Sequence, residues 1–592
     1  MSQSSRQIAE RATFQSFVNC YMREIDAGLS ARHGGASGVD CIEWALPSQH
    51  LFLRAEITSR SLCGPHRFGR AWCKGTSEIA WRPVALVTAL QFLVHEMYRR
   101  GHDLPADTLQ GLELELLLRV LQSYRQTMSY LDAGGEARTS SDRFIDAEQS
   151  LVFGHWMHPT PKSLQGMSAW QQPSYAPEFA GEFQLHFFAA RTDCVRHASA
   201  RAESAVEIIE SMAREAAGLL RDGETLIPMH PLQAEALRLD ADVQSMLRSG
   251  LLRDLGARDA PFTATSSVRT VYSRSQPWML KFSLPVQITN SLRRNRRHEL
   301  DAGIAIAKLF DRTGISERYP NFRIIHDPAY ITLDIPGLSE SGFEVILREN
   351  PFVEGHDEGM VTVAALTADP LPGQPSRLDR IITGLATRSG KARSCVALTW
   401  FERYLDHALV PLVKLYDEFG IALEAHQQNS ILDVSAGYPG GFYYRDNQGF
   451  YLSNRYRPLL MRHVPETAGI ASLYFDDAEI RNRFAYYLTV NQIFSLISRM
   501  GHDGLQDESA LLLVLRNRLE QLAATLSGAG RDFARHLLDR PVIATKTNLM
   551  ARLLDIDELQ SEGGVSLYSD LPNPLFAVAA SGFREGNHAI AS

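Results

Sequence analysis

The 592-residue chain is poor in the features that announce a small secreted, membrane or nucleic-acid-binding protein. It has only six cysteines, Cys20, Cys41, Cys63, Cys73, Cys194 and Cys395, with no CxxC pair among them. That excludes a zinc ribbon or thioredoxin-like motif, and at this length a disulfide scaffold is not expected. No stretch approaches the roughly 18 uninterrupted apolar residues of a membrane helix. The polar start, MSQSSRQIAERATFQSF, lacks the apolar core of a signal peptide and reads as an amphipathic helix. There is no excess of positive charge either: 60 Lys and Arg against 68 Asp and Glu give a net charge of −8. Nothing electrostatic points to nucleic acid or an anionic membrane as partner. A reducing cytoplasm is the expected compartment. Walker A, HExxH, GxSxG and strand-linked GxGxxG motifs are all missing. Their absence weakens P-loop ATPase, zincin, α/β-hydrolase and Rossmann dehydrogenase readings.

What is present is ordinary globular composition, 45% hydrophobic and 22% charged, with length for two to four domains. Surface breaks are expected at Gly134 to Asp142, Ala368 to Arg377, Gly437 to Gly441 and after Gly582. Helical periodicity runs through 84–99, 107–131 and 200–222, and Leu398 to Phe419 reads as one long helix ended by Gly420. Strands are expected at Ser267 to Ser273 and Trp278 to Ser283 around the turn Arg274-Ser275-Gln276-Pro277, followed by a helix from Ser291 to about Thr313. The whole reads as α+β.

Three polar constellations stand out. The first, Gly154-His155-Trp156-Met157-His158-Pro159-Thr160-Pro161-Lys162-Ser163, is a rigid turn bearing cationic donors, suited to a phosphate or simply to a proline-shaped surface loop. A second His-Pro turn follows at His230-Pro231. The second constellation runs from Thr265-Ser266-Ser267-Val268-Arg269-Thr270 through Lys281 to Thr289-Asn290-Ser291-Leu292-Arg293-Arg294. Strand alternation would put Ser267 and Arg269 on one face. Lys281, between Leu280 and Phe282, requires a partner. Arg293 and Arg294 would open the next helix, where free N–H groups favour anions. Hydroxyls, arginines and a lysine converging in this way suit a polyphosphate plus a carboxylate, or else a half-exposed hairpin with solvated charges. The third is Glu424-Ala425-His426-Gln427-Gln428-Asn429 followed by Tyr443-Tyr444-Arg445-Asp446-Asn447-Gln448-Gly449. An asparagine and an aspartate from adjacent loops are a common pair of Mg²⁺ ligands in phosphotransferases, although either alone also fits an N-cap or an Asx turn.

Together, TSSVRT, Lys281, TNSLRRN, EAHQQN and YYRDNQG, in that order, closely resemble the NRPS-independent siderophore synthetases, the IucA/IucC family. GHWMHPTPKSLQG and IPMHPLQ resemble that family's His-Pro elements, so the resemblance spans roughly 150–450. Three positions depart from the family pattern: Trp156 where proline is common, Leu164 where a basic residue is common and Leu232 where tryptophan is common.

The resemblance implies a cupped-hand architecture: a mainly helical thumb at 1–150, mixed α/β fingers with an ATP-binding hairpin at 151–360, and a helix-rich palm at 361–592. It implies an ATP-dependent ligase that adenylates a carboxylate, typically of citrate, releases pyrophosphate, and passes the acyl group to an amine or alcohol with loss of AMP. Carried over position by position, Ser267, Arg269, Thr270 and Lys281 would contact the ATP phosphates, with His158 and Lys162 reaching the nucleotide from the other side. Thr289, Arg293, His426 and Gln428 would hold the substrate carboxylate. Asn429 and Asp446, with Glu424 or Gln428, would hold Mg²⁺. Arg293, His426 and Lys281 are the expected catalytic residues. The YRDNQG form inclines the reading to free citrate, with 2-oxoglutarate or a citrate monoamide or monoester as alternatives. The resemblance is compatible with a homodimer. Outside the family, a kinase-like phosphotransferase and a silent nucleotide-binding protein are the competing readings.

Overall fold

The computed structural model describes residues 4–34, 38–100, 104–134, 141–288, 291–446, 448–555 and 568–578. The first helix, Ser5–Glu24, starts at a capping box in which Ser4 and Gln7 satisfy each other's backbone N–H groups. It packs with helices Leu86–Arg99 and Ala106–Asp132 against a five-stranded antiparallel meander running from Leu29–His33 to Arg82–Val84. Phe14, Phe17, Tyr21, Trp44, Leu53 and Leu93 fill the space between them. Over 1–150 helices predominate, and a five-stranded sheet that the sequence reading did not foresee lies among them. Its strands carry polar residues on the face turned from the core, and that dilutes the hydrophobic signal of each short run.

The centre of the molecule is an eight-stranded antiparallel sheet, ordered Val195–Ser199, Ala329–Leu333, Val345–Glu349, Trp278–Phe282, Thr270–Tyr272, Leu252–Ala264, Glu182–Arg191, Glu224–Met229. One face is apolar, with Val271, Leu280, Phe282, Val345 and Leu347 in a single core. Thr270 stands opposite Lys281, and Met279 opposite Arg348. Period-two alternation therefore sends Thr270, Lys281 and Arg348 to the other face. That face looks toward a second body, in which a four-stranded sheet (Phe322–Ile325, Gly441–Arg445, Ser430–Asp433, Met360–Thr362) and the C-terminal helices enclose the largest core. The result is mixed helix and sheet, as expected.

Several local expectations shift. Leu398 to Phe419 is two helices, Arg393–Ala408 and Val410–Phe419, because Pro411 can sit only in the first turn of a new helix. Gly420, at φ 66°, does end the second. The 200–222 periodicity resolves into Ala205–Met212 and Arg214–Ala217. The helix expected from Ser291 begins only at Arg297, and Ser291–Leu292 forms a short strand instead. Ser267 to Arg269 is a turn rather than strand, with Val268 at φ 65°.

Candidate active site

The site forms where the polar face of the large sheet meets the 424–446 segment. Lys281, 4% exposed at its side chain, donates from Nζ to Asp446 Oδ1 at 2.9 Å and lies 3.8 Å from Asp327 Oδ2. Asp327 is fully buried and takes a bidentate pair from Arg348, at 2.6 and 2.9 Å. Arg348 Nη2 is 3.9 Å from Asp446. Burial pushes the Asp446 carboxyl up, yet Lys281, Arg348 and Arg269 outweigh it and hold the group well below the usual carboxylate range. Burial pulls the Lys281 ammonium down and Asp446 opposes it. Asp446 itself sits at φ 132°, a conformation that L side chains rarely adopt.

Arg269 is anchored by Asn295 Oδ1 (3.1 Å) and the Arg294 carbonyl (3.2 Å), and reaches Gln448 Oε1 at 3.3 Å. Asn295 in turn donates to the Lys281 and Glu344 carbonyls, so the two cations are fixed relative to one another. Ser267 Oγ accepts from the Thr270 N–H (3.2 Å) and lies 3.3 Å from Thr265 Oγ1, closing the turn. Behind it, fully buried Glu148 accepts from Arg445 (2.8 and 3.0 Å) and from Ser266. Ser266 Oγ also accepts from Gln428 Nε2 at 3.1 Å.

On the opposite wall His426 Nδ1 accepts from the backbone N–H groups of Gln428 (3.2 Å) and Asn429 (3.3 Å). Burial, then the neighbouring His155, lower its pKa to about 3. At neutral pH the ring is therefore uncharged, and since Nδ1 accepts, Nε2 carries the proton. His426 is a neutral N–H donor rather than a base. Glu424 Oε1 lies 3.9 Å from Nε2, and Glu424 Oε2 accepts from Tyr451 Oη at 2.8 Å. Burial pushes the Glu424 carboxyl up, Lys546 pulls it back and Asp446 adds to the rise. The two carboxylates thus feel each other. Asn429 Nδ2 donates to the Glu424 carbonyl at 3.3 Å, which leaves its amide oxygen as the atom to face a cation. Among the described residues no three His, Cys, Asp or Glu side chains are grouped to hold a metal. Two carboxylates and an amide oxygen nevertheless suit Mg²⁺, which takes hard oxygens and keeps several waters.

Gly449 is confined here. A Cβ would stand 2.3 Å from Tyr444 Oη and 2.7 Å from Glu424 Cβ. Gly449→Ala is expected to cost about 1–3 kcal/mol by overpacking and to displace Glu424. Urea unfolding with a parallel activity assay checks this, and unchanged values for both would refute it.

The structure thus brings Arg269, Thr270, Lys281, Glu424, His426, Gln428, Asn429 and Asp446 into one neighbourhood. Arg293 departs from expectation. It lies before the helix, paired through its backbone to Leu284 and Val286, and its Nη2 is 3.5 Å from the Ile288 carbonyl. Helix N-terminal N–H groups therefore do not surround it. Thr289 falls outside the described residues. Lys162 pairs with Glu178 and lies 5.7 Å from the Tyr130 ring centre, while buried His158 accepts the Thr160 N–H at Nδ1 (3.1 Å). From that loop it is His155 that adjoins His426 electrostatically, with Nε2 2.6 Å from Asn491 Nδ2.

Sequence reading missed Asp327, Arg348, Arg445, Glu148 and Lys546. Arg348 carries the same signal that found Lys281, a charge inside an apolar strand, Val345-Ile346-Leu347-Arg348. Tyr487 was invisible for a different reason. It lies on a nine-residue π-helical stretch, Ala485–Ile493, whose period differs from that of an α-helix, and its ring is 5.9 Å from His426.

The IucA / IucC family model matches residues 143–368, and the model described as ferric iron reductase FhuF-like transporter matches 398–561. The chain is 37% identical to the spermidine-citrate ligase of Bacillus anthracis, over 96% of this chain and 98% of that one. It is 32% identical to the rhizobactin siderophore biosynthesis protein RhbC of Rhizobium meliloti, again over 96% and 98%. In structure it resembles the ATP-bound aerobactin synthetase IucA of Klebsiella pneumoniae, with a TM-score of 0.86, 26% identity, and 95% of this chain and 99% of that one covered. Near-complete coverage at such identity, added to the ordered motifs that the fold brings together, places this chain in the IucA/IucC family of siderophore synthetases.

Proposed function

We propose that the protein is an ATP-dependent ligase of siderophore biosynthesis that adenylates a carboxylate of citrate and condenses it with an amine or alcohol. The observation that carries the reading is the convergence of Lys281 and Arg348 on Asp446, with Arg269 held beside them through Asn295 and Gln448. Next to them lies the 424–429 turn, which carries His426 and is bonded to Arg445. ATP and a tricarboxylate repel each other, and fixed cations between them reduce that cost. In the free protein Asp446 and Asp327 hold the Lys281 ammonium in place. An arriving phosphate would take over that ammonium, leaving the Asp446 oxygen to a cation.

Asp446 and Asn429, with Glu424, would hold Mg²⁺, which when bound supplies charge neutralisation to the phosphates. Arg269 and Lys281 stabilise the negative charge that gathers on the α-phosphate as the carboxylate oxygen attacks. His426 offers its Nε2 proton to the carboxylate or to that phosphate as a hydrogen bond without giving it up. Arg293 and Gln428 complete the carboxylate pocket in this reading, and the resemblance adds Thr289, which lies outside the described residues. Ser267 and Thr270 border the triphosphate side, and His158 and Lys162 belong to the same nucleotide half. The spermidine-citrate ligase among the relatives favours an amine as acyl acceptor and free citrate as the acid.

AMP and pyrophosphate formation from ATP and Mg²⁺, with hydroxylamine trapping the acyl group, tests the reading. Citrate, 2-oxoglutarate, succinate and a citrate monoamide are to be compared. Citrate-dependent AMP is expected, reduced about 10²–10³-fold by Arg293→Ala or His426→Ala, the usual effect of losing one transition-state donor. ADP as product would favour a phosphotransferase, and the monoamide as sole substrate would overturn free citrate.

A further inference from the structure

We propose that Glu24, at the last turn of the first helix, is a positioning residue that holds Lys546 against the carboxylate end of the active site. The proposal rests on the carboxylate-activating function above. Lys546 ends strand Val542–Lys546, whose one partner in its two-stranded sheet is Tyr568–Pro572. So small a sheet fixes its last residue weakly. Beyond it comes a helix of only six residues, Asn548–Leu553, and the N-cap Thr547 gives it no side-chain hydrogen bond.

The bonds such a helix needs come from the other end of the chain. The fully buried Glu24 side chain accepts from three consecutive backbone N–H groups, of Asn548 (3.2 Å), Leu549 (2.7 Å) and Met550 (2.9 Å). Leu549 and Leu553 then enter the N-terminal core beside Phe17 and Tyr21.

The same corner fastens two other walls of the site. Arg23 donates to Glu24 at 3.0 Å and to the Met157 carbonyl at 3.4 Å, with its guanidinium 5.8 Å from the Trp156 ring centre. Asn548 Nδ2 donates to the Met157 carbonyl at 2.8 Å and to Tyr486 Oη at 3.4 Å. Trp156 Nε1 donates to Ser495 Oγ at 3.0 Å. The tryptophan that departs from the family pattern therefore joins the first helix to the 154–163 loop. From this junction strand Val542–Lys546 packs against the Ala485–Ile493 stretch, whose Tyr487 ring is 5.9 Å from His426 and whose Asn491 Nδ2 is 2.6 Å from His155 Nε2. The charge of Lys546 thereby reaches Glu424, His426 and His155. Arg269 and Lys281 are fixed separately, by Asn295 and the large sheet. Glu24 should thus govern the acid rather than ATP.

Glu24→Gln keeps the shape and one acceptor oxygen for Leu549 and Met550, but sets its amide NH2 against the Asn548 N–H and the Arg23 guanidinium. It is expected to raise KM for the acid about tenfold, with KM for ATP within about twofold, the split that marks loss of acid binding alone. In a Lys546→Ala background the same change should add less than about twofold, because residues that act as one unit are not additive. Hydrogen exchange at 548–550 should speed up in Glu24→Gln whether or not substrate is present. Where Glu24→Gln fails to fold, Glu24→Asp alone and with Lys546→Ala runs the same cycle with a smaller expected effect. Multiplicative effects of the two changes, equal losses toward acid and ATP, or unaltered exchange at 548–550 would each overturn the positioning role. A wild-type protein that forms no AMP with any acid would instead refute the proposed function, and this role with it.

Discussion

Lys281→Met is expected to lower kcat/KM for ATP by about 10²–10³-fold, the cost of removing one preorganised charge from a transition state. It should also destabilise the fold by about 3–5 kcal/mol, the usual penalty when one partner of a buried ion pair is deleted. Methionine keeps the apolar stem between Leu280 and Phe282 and removes only the ammonium. What remains is fully buried Asp327, still held by Arg348, and Asp446, whose nearest cation is then Arg348 at 3.9 Å. The double variant Lys281→Met/Asp446→Asn separates the two effects. It should regain part of the lost stability, since no unpaired charge is left, while staying inactive. Urea unfolding beside the AMP assay reads both quantities. A stable, fully active Lys281→Met would remove Lys281 from the mechanism.

Acidification should destabilise the protein from about pH 6.5 downward, before most of its carboxylates protonate. Burial holds His230, 0% exposed, and His326, 8% exposed, near pKa 3, whereas in the unfolded chain a histidine titrates near about 6.5. Above that pH both states hold neutral rings and stability is flat. Below it the unfolded chain takes up protons that the folded protein does not. Stability then falls by about 1.4 kcal/mol per pH unit for each ring until the folded pKa is reached. At pH 5 the two together cost about 4 kcal/mol, against a total stability of about 5–15 kcal/mol for a typical domain. His426, held near 3 in the same way, adds to the slope.

His230→Asn provides the control. His230 caps helix Pro231–Leu237 by accepting the Leu232 N–H at Nδ1, and asparagine is a good replacement cap. Across pH 7.5, 6.0 and 5.0 the urea midpoint should fall less for the variant than for the wild type, by the share of one ring, while His326 and His426 keep the rest of the slope. A wild-type midpoint independent of pH over that range would refute the argument.

The sequence by itself determined the family, the order of the motifs and the main local elements. Lys281 between two apolar neighbours demanded a partner, the Arg274-Pro277 turn produced its hairpin, and Gly420 ended its helix, because these depend on side-chain burial and backbone freedom within a few residues. Only the tertiary structure decided who the partners are. Asp446 lies 165 residues from Lys281, Glu148 lies 297 from Arg445, and Glu24 lies more than 500 from the backbone groups it caps. Each of those carboxylates looks alike along the chain, and it is desolvation in a shared interior that makes one particular cation its necessary neighbour. The late start of the helix at Arg297 has the same origin. Gln287–Ile288 pairs on one side with the distant Leu164–Gln165 and on the other with Ser291–Leu292, and Leu284 and Val286 bond the Arg293 backbone. These hydrogen bonds outweigh the helical preference of the arginine-rich run.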